Sequence, residues 1–222
     1  MPEADTRLHV VVEAALFTVV DDRLCVALHR MRRGPFKGAM ALIGGHVHPD
    51  EDADARAAIT RILADKAGLR DVFLEQLRTF SGKGHDPRRW SVSITYYAVA
   101  PLDRLSEGFG LQLVDVENLP DLAFDHRRIV DAALGRLRRK GAYSNLPALL
   151  LPAEFTFPEL KGVYEKVLGV ALNDSAFRRK ITELKMIEPV PEARSPATAA
   201  RKRPAQLYRL ADRRLAEWGR TL

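Results

Sequence analysis

Apolar residues in the first hundred positions cluster and alternate in the manner of β-strands. Val, Ala and Leu dominate residues 8–17, and after a polar turn a second apolar run covers residues 24–28. Residues 72–80 are also mainly apolar, and residues 90–99 alternate apolar with polar side chains, which is typical of strands that bury one face. We therefore predict four strands in these segments.

A glycine pair and a helix lie between the second and third of these strands. The short apolar run at residues 41–43 leads into Gly44 and Gly45, which predicts a strand that ends in a glycine turn. Apolar residues then recur at helical spacing within residues 50–66, and Gly68 follows where a C-cap glycine would stand. This segment is therefore predicted to be an amphipathic helix.

A second helix is predicted to close the β-rich part of the chain. It covers residues 125–140, with Phe124 as a hydrophobic staple before it and Gly141 ending it. Strands that are interrupted by one helix and followed by another indicate the α+β class, or more narrowly an α/β sandwich. We expect this first domain to cover residues 1–142.

Residues 143–222 follow a different pattern, which begins with two closely spaced helices. Residues 156–159 have the composition of a capping box with proline in the first turn, and an apolar stripe continues to Gly169. A second helix is capped by Asn173 or Asp174. Its inward face carries Phe177, Ile181 and Leu184. Helix, short turn and helix predict a helix-turn-helix unit.

The rest of the chain predicts a β-wing on this unit. Residues 192–204 are small, polar and basic, and residues 205–210 resume as an alternating strand. A hairpin with a basic tip satisfies this pattern, so the second domain is predicted to be a winged helix-turn-helix. Residues 211–220 are expected to add a short helix.

Composition narrows the functional classes. Of 222 residues, 46% are hydrophobic and 29% charged, which excludes wholesale disorder, and the net charge is +6. The basic residues concentrate after Phe177, which favours a polyanionic partner for the second domain. The single cysteine, Cys25, lies in an apolar run and predicts a buried thiol in a reducing compartment. No apolar run approaches the roughly 20 residues of a membrane span, so we expect a cytoplasmic protein.

The glycine pair and the helix after it resemble the Nudix box, the metal-binding motif of a family of pyrophosphohydrolases. The resemblance covers residues 44–69. In that family the helix carries a glutamate after the position of Arg61 and a glutamate pair before the position of Gly68, and these carboxylates hold Mg²⁺ against a diphosphate. Here those positions are Ile62, Asp65 and Lys66.

These substitutions predict that the domain is not an enzyme. Mg²⁺ needs several close oxygen ligands, whereas Ile62 offers none and Lys66 repels the ion. Glu51 also stands two residues farther from Arg61 than the motif requires. We expect no metal site, no catalytic residue, no cofactor and no requirement for a divalent metal.

Further segments resemble one Nudix branch, the Nudix-related transcriptional regulator family, NrtR. They are residues 35–38, 41–47 and 122–126 in the first domain and 150–156, 159–160, 163–165, 168–169, 177–180 and 203–209 in the second. The resemblance extends over residues 8–210, and two domains match in the right order. It implies an α/β/α Nudix sandwich followed by a winged helix. It also implies a DNA-binding repressor whose Nudix domain binds ADP-ribose or a related nucleotide without hydrolysing it.

Six residues are predicted to bind this effector. They are Arg30, Lys37, Gly44, Gly45, His46 and Asp86. The basic residues precede the glycine pair, glycine amides suit phosphate, and Asp86 resembles a family position near the ligand. His46 stands where relatives often have an aromatic residue, which leaves the identity of the effector open. His46 and His48 are alternatively a pair of zinc or manganese ligands.

Eight residues are predicted to contact double-stranded DNA. They are Ser175, Arg178, Arg179 and Lys180 on the second helix of the turn, and Arg201, Lys202, Arg203 and Tyr208 in the wing. Arginine pairs bidentately with guanine or with phosphate, whereas lysine mostly serves phosphate. The sequence does not choose between Arg178 and Arg179 as the base contact.

Together these observations predict a homodimeric regulator that represses genes of NAD or related nucleotide or sugar metabolism. Two recognition helices on one face of a dimer match two half-sites on DNA. One alternative is an active Nudix pyrophosphohydrolase with a basic tail for RNA or a partner. Another is a module that docks its basic winged helix onto a protein.

Overall fold

The computed structural model describes residues 9–82, 85–87, 90–195 and 205–219. The strands are β1 (His9–Val20), β2 (Arg23–Arg30), β3 (Met40–Ala41), β4 (Ile43–His46), β5 (Phe73–Gly82), β6 (Ser91–Val99), β7 (Gln112–Asp115), β8 (Phe155–Thr156), β9 (Ile187–Ser195) and β10 (Ala205–Leu210). The α-helices are α1 (Ala55–Ala67), α2 (His126–Gly141), α3 (Phe157–Leu168) and α4 (Asp174–Glu183). Short 3₁₀-helices cover Leu102–Arg104, Glu107–Phe109 and Leu146–Leu150. Over the described ranges, none of the helices is both long and apolar enough to cross a membrane.

The first domain is a sheet covered by helices on both faces. In the described part of the chain seven strands form this sheet, in the order β3-β2-β1-β6-β5, with β4 paired to β1 and β7 to β2. Strands β1 and β6 run parallel, and the other pairs are antiparallel. Along β1, Val12 and Leu16 pack with α1, whereas Ala15 and Phe17 pack with α2 on the opposite face. The predicted α/β/α sandwich is confirmed.

Helix α1 begins and ends at residues suited to those positions. Asp54 is the N-cap and its Oδ1 accepts a hydrogen bond from Ala57 N at 2.7 Å. Gly68 adopts a left-handed conformation with φ 67°, and its N–H bonds Ala64 O. The predicted C-cap glycine is confirmed.

Gly44 and Gly45 do not form the predicted turn. They lie inside β4, where Gly44 pairs with Glu13 and Gly45 with Val12 of β1. Neither residue has a positive φ. The glycines are required by close packing instead, because a Cβ on Gly44 would lie 2.8 Å from Val12 O and a Cβ on Gly45 would lie 3.0 Å from Ile62 Cδ1.

Gly141 also has a different role from the predicted one. It is the last residue of α2 rather than the glycine beyond its end. A Cβ there would lie 3.0 Å from Pro147 Cγ and 3.1 Å from Val167 Cγ1. The absence of a side chain therefore lets α2 approach α3 and the 3₁₀-helix Leu146–Leu150 closely.

The second domain is a winged helix-turn-helix, as predicted. Thr156 and Glu159 form the capping box of α3, since the Glu159 carboxylate accepts from Thr156 N at 2.6 Å and Thr156 Oγ1 accepts from Glu159 N at 3.4 Å. Asn173, rather than Asp174, caps α4, because its Oδ1 accepts from Ala176 N at 3.0 Å. In the described ranges β8, β10 and β9 form the wing sheet in that order.

Two features near the domain junction differ from the sequence prediction. The fully buried 3₁₀-helix Leu146–Leu150 was not predicted, because five residues are too few for a periodic pattern. The predicted helix at residues 211–220 is wrong over the described part of that range. There the chain is extended against the junction, where Trp218 N donates to Tyr143 O at 2.9 Å and Asn145 Oδ1 accepts from Ala216 N at 2.8 Å.

The two domains share one apolar core. A single cluster of buried residues runs from Phe17 in β1, through Leu137 in α2 and Leu149 in the junction, to Leu160 in α3 and Phe177 in α4. The predicted boundary between residues 142 and 143 lies just after α2, between Leu137 and Leu146, which both belong to this cluster. Relative movement of the two domains would therefore require repacking of buried side chains.

Candidate ligand cavity and nucleic-acid interface

A cavity of about 1150 Å³ opens on the side of the first sheet that carries β4 and the end of β2. All six residues predicted to bind an effector line it, namely Arg30, Lys37, Gly44, Gly45, His46 and Asp86. The volume suits a ligand larger than a simple anion. The fold thus brings these six residues together, and their contacts with a ligand stay a prediction.

The mouth of the cavity is cationic. Its lining includes Arg30, Arg32, Arg33, Lys37 and Lys66. A tight loop after β2 orients Arg30. Its Nη1 donates to Gly38 O at 2.7 Å, and Gly38 N donates to Met31 O at 2.8 Å. Positive charge around a concave site raises the local concentration of anionic ligands.

Helix α1 presents a lysine where the Nudix motif presents a metal ligand. Lys66 Nζ donates to Gly44 O at 2.6 Å, and burial together with the charge of Arg61 lowers the pKa of Lys66. Ile62 is buried against Gly45 and offers no ligand atom. The side chain of Asp65 is 65% exposed. Among the described residues no group of three His, Cys, Asp or Glu side chains is placed to hold a metal ion.

Asp52 organises the turn between β4 and α1, and the sequence analysis missed it. Its carboxylate accepts from Arg61 Nε at 2.8 Å, from Arg61 Nη2 at 2.7 Å and from His48 N at 2.7 Å. The hydrogen bonds from Arg61 chiefly lower the pKa of Asp52, to about 2. The only signal in the sequence was an acid within reach of an arginine on the next helix.

The two histidines after the glycine pair have separate partners. The His46 ring packs edge-on against His9 with centroids 5.4 Å apart, and His48 Nδ1 lies 3.2 Å from Glu51 Oε2. Within the described residues, His46 and His48 are therefore not brought together with a third metal ligand. The zinc or manganese alternative gains no support from this geometry.

A buried polar network forms the floor of the cavity. His126 Nδ1 accepts from Leu42 N at 3.0 Å, so its Nε2 carries the proton and donates to Glu13 Oε1 at 2.8 Å. Ser93 Oγ donates to Glu13 Oε2 at 2.6 Å. Burial raises the pKa of Glu13, but the contacts with His126 and Ser93 outweigh it and the pKa is lowered overall. Each oxygen of the Glu13 carboxylate on the floor therefore accepts a hydrogen bond from a protein side chain.

His85 extends this network towards the start of α2. Its Nδ1 lies 2.5 Å from Asp125 Oδ1, and its Nε2 lies 3.9 Å from Glu13 Oε2. The sequence analysis missed Glu13, His85 and His126. A single carboxylate inside the apolar run of β1 was the available signal, because a charge in a buried strand needs partners.

Aromatic rings border the polar lining. Phe109 is 40% exposed, lines the cavity and packs where Gly68 has no Cβ. Phe124 also lines the cavity, and its ring centroid lies 4.6 Å from that of Phe36 and 5.2 Å from that of His126. The cavity therefore combines cations for an anion with rings on which a planar group can stack.

The second candidate site is the exposed face of α4. Phe177 and Ile181 are buried, whereas Ser175, Arg178 and Arg179 are exposed and Lys180 is half-buried. In the wing, Tyr208 is half-buried, with its ring centroid 6.4 Å from that of Phe157. The predicted contacts Arg201, Lys202 and Arg203 lie outside the described residues.

Charged contacts hold the start of α4 against α3. Lys161 Nζ bridges Glu165 at 3.2 Å and Asp174, and Leu172 N donates to Glu165 Oε1 at 2.8 Å. The hydrogen bond from Lys161 lowers the pKa of Asp174. These contacts therefore link the turn and the start of α4 to α3.

A charged cluster joins the cavity domain to the winged helix. Lys140 Nζ at the end of α2 contacts Glu75 Oε2 of β5 at 2.6 Å and Glu217 Oε1 at 2.7 Å. Arg136 Nη1 adds a contact to Glu75 Oε1 at 2.9 Å. Together with the shared core, these contacts join the first domain to the second.

The chain is similar to known regulators over nearly its whole length. Residues 147–210 match the family described as the NrtR DNA-binding winged helix domain. The chain is 35% identical to the ADPR responsive transcriptional repressor NtrR of Acinetobacter baylyi over 206 residues, which are 90% of this chain and 81% of that protein.

Two solved structures of Shewanella oneidensis NrtR are also similar. The complex with a 27mer DNA superposes with a TM-score of 0.85 at 29% identity and covers 96% of this chain and 99% of that one. The NUDIX domain complexed with ADP ribose has a TM-score of 0.52 at 30% identity and covers 62% of this chain and 93% of that one.

Proposed function

Because this chain belongs to the NrtR family of Nudix-related transcriptional regulators, we propose that it is a DNA-binding repressor whose Nudix domain senses ADP-ribose. The observation that carries this proposal is the pairing of a cationic cavity with an exposed basic helix on one shared core. Operator DNA and a nucleotide effector are then the two partners. We place the protein in the cytoplasm, where both are found, and take genes of NAD or related nucleotide or sugar metabolism as its targets.

The cavity supports a ligand with a diphosphate and a base. Arg30, Lys37 and Lys66 offer positive charge for phosphate, and Phe109 offers a half-exposed ring for a base. Glu13 on the floor remains an ionised carboxylate that is hydrogen-bonded to His126 and Ser93, so we expect the phosphates of the ligand to lie beside the cations of the lining and away from it. This arrangement fits ADP-ribose, and neither a cofactor nor a divalent metal is part of the proposal.

We propose that the Nudix domain does not hydrolyse its ligand. Hydrolysis in the related enzymes uses carboxylate-bound Mg²⁺, whereas the equivalent positions here are a buried Ile62 and a Lys66 whose ammonium bonds the Gly44 carbonyl. A cation at this point opposes a divalent ion electrostatically. The active pyrophosphohydrolase is therefore the weaker alternative.

Effector and DNA must influence each other by the same factor. If ADP-ribose weakens DNA binding tenfold, then DNA weakens ADP-ribose binding tenfold, because binding free energies are linked. The shared core and the Lys140 cluster supply a physical connection for this coupling. Release from DNA on binding ADP-ribose is the expected direction for a repressor.

A homodimer is the proposed assembly on DNA. Two recognition helices related by a two-fold axis reach half-sites about one helical turn apart. Sedimentation of the protein with operator DNA measures this directly. One chain bound per operator would refute the dimer.

The deciding experiment is fluorescence anisotropy with labelled DNA from upstream of the gene and its neighbours, at fixed salt, with and without ADP-ribose. Selective binding that ADP-ribose relieves supports the repressor and its effector together. Selective binding that ADP-ribose leaves unchanged retains the regulator and rejects this effector. A phosphate-release assay with ADP-ribose and Mg²⁺ or Mn²⁺ tests the hydrolase, and turnover without selective DNA binding would favour it.

A further inference from the structure

Arg178 and Arg179 are neighbours on α4, yet their side chains have different surroundings. Arg178 Cζ lies 3.8 Å from the centroid of the Phe157 ring. Phe157 is itself buried, with its ring centroid 5.7 Å from that of Phe177. Arg179 is 77% exposed, and its Nε lies 3.9 Å from Glu183 Oε1. One guanidinium therefore rests on a fixed aromatic surface, and the other extends from the helix.

The two arginines also point in different directions around the helix axis. Phe177 and Ile181 define the direction that faces the core. At about 100° per residue, Arg179 lies roughly 180° from the midpoint of these two, whereas Arg178 lies roughly 80° from it. Arg179 therefore stands opposite the core, and Arg178 stands on the flank.

From this geometry we propose that Arg179 reads a base edge in the DNA major groove and that Arg178 contacts a phosphate on the groove wall. The proposal rests on the proposed function as a DNA-binding regulator. A helix in the major groove directs the face opposite its own core towards the base edges, and its flanks face the phosphate backbones. Arginine suits the first role because its fork matches the O6 and N7 acceptors of guanine.

The hydroxyl groups near Arg179 are already engaged within the helix. Ser175 Oγ donates to Asn173 Oδ1 at 2.8 Å, and Thr182 Oγ1 donates to Arg178 O at 2.9 Å. Both hydroxyl groups therefore donate to acceptors of α4 or its N-cap. Arg179 is left as the strong donor on the face opposite the core.

Phe157 gives Arg178 a positioning role that charge alone would not give it. Stacking on a ring restricts the guanidinium while its N–H edge remains available to an oxygen. A restricted arginine at the groove wall fixes the register of the helix on the backbone and carries no sequence information. The structure thus separates two roles that the sequence left undivided.

The test compares R179K with R178K by selection from a library of short DNA duplexes with randomised centres. R179K keeps the charge but loses the bidentate fork, so its preference for guanine at one position should fall by about 5- to 150-fold. R178K should enrich the same sequence as the unmodified protein. R127K, whose arginine pairs with Asp131 on the outside of α2, is the matched control.

Salt dependence supplies an independent readout. R178A should lower specific and non-specific affinity together and reduce the slope of log affinity against log salt by about 0.9. Relaxed base preference in R178K but not in R179K would overturn the assignment while the regulator stands. If the unmodified protein enriches no sequence, the proposed function itself fails and the assignment falls with it.

Discussion

Helices α1 and α4 both carry arginine and lysine, but the two domains use these cations in opposite ways. In α1, Arg61 is held by Asp52 and Lys66 donates to the carbonyl of Gly44, so both cations are engaged by groups of the fold beside the cavity. In α4, Arg179 extends into solvent and Arg178 lies on Phe157. The partner of a cation, rather than its residue type, separates a structural charge from one that can bind DNA.

Glycines in the two domains also differ in what surrounds them. Gly44 is needed because a side chain would meet Val12 O and Glu13. For a Cβ on Gly162 in α3, the nearest atom would be Lys166 Nζ, at 3.6 Å. The first glycine permits a close approach of two strands. The second occupies an ordinary helix position, where it costs conformational entropy.

The largest expected effect comes from placing a side chain at Gly44, beside the cavity. G44V forces overlap with the neighbouring strand and should lower the free energy of unfolding by about 1–3 kcal/mol. G162A, the matched control, should raise it by about 0.5–1 kcal/mol, because alanine favours the helix. Urea denaturation measures both. An unchanged stability of G44V would show that β4 can move away from β1 without cost.

The next effect compares two arginines. R61A leaves the carboxylate of Asp52 without its main partner, and the side chain of Asp52 is only 2% exposed, so Tm should fall by several degrees. R179A should leave Tm within about 1 °C of the unmodified protein, since exposed side chains contribute little to stability. Differential scanning calorimetry tests this pair. Equal Tm values would mean that Arg61 is no more structural than Arg179.

Low pH should remove the contribution that ionised Asp52 makes to the free energy of unfolding. Its pKa is lowered from 3.8 to about 2 in the folded protein, so its contribution to stability is complete above about pH 4 and is lost as the pH falls towards 2. The stability difference between the unmodified protein and D52N should therefore shrink in this range. D65N, at an exposed position of α1, is the control. A difference that stays constant from pH 5 to about pH 2 would contradict the assigned cause.

The smallest expected effect concerns a single cation at the cavity mouth. K37A should weaken ADP-ribose binding by up to about fivefold, because an exposed charge pair is screened by solvent. R127A, on the outside of α2, should leave the affinity unchanged. Isothermal titration calorimetry measures both variants. Stronger binding by K37A would place the anionic part of the ligand elsewhere in the cavity.

Much of the fold could be predicted because its signals are local. The capping box at Thr156 and Glu159, the C-cap glycines Gly68 and Gly169, and the apolar stripe of α3 all involve residues within a few positions of each other. Caps and periodicity depend on neighbours along one helix, so they can be identified without knowledge of the rest of the chain.

The candidate sites could be predicted only in part. The six effector residues line one cavity as a group, since most of them lie in or beside the glycine segment. Asp52 was not predicted as a site residue, because the resemblance to the Nudix motif involved the neighbouring Glu51 instead. Phe109 was not predicted as a site residue, because it lies on a 3₁₀-helix of three residues, which is too short to show a periodic pattern in the sequence.

By itself, the sequence determined the order of helices α1 to α4 and of the longer strands, the replacement of metal-binding carboxylates at Ile62 and Lys66, and the basic character of the second domain. Only the tertiary structure decided that Glu13 meets Ser93 and His126, which are 80 and 113 positions away. It also decided that Arg178 lies on Phe157 while Arg179 extends from the helix. Local patterns specify helices and strands, whereas the partner of a charge depends on which distant segments pack together.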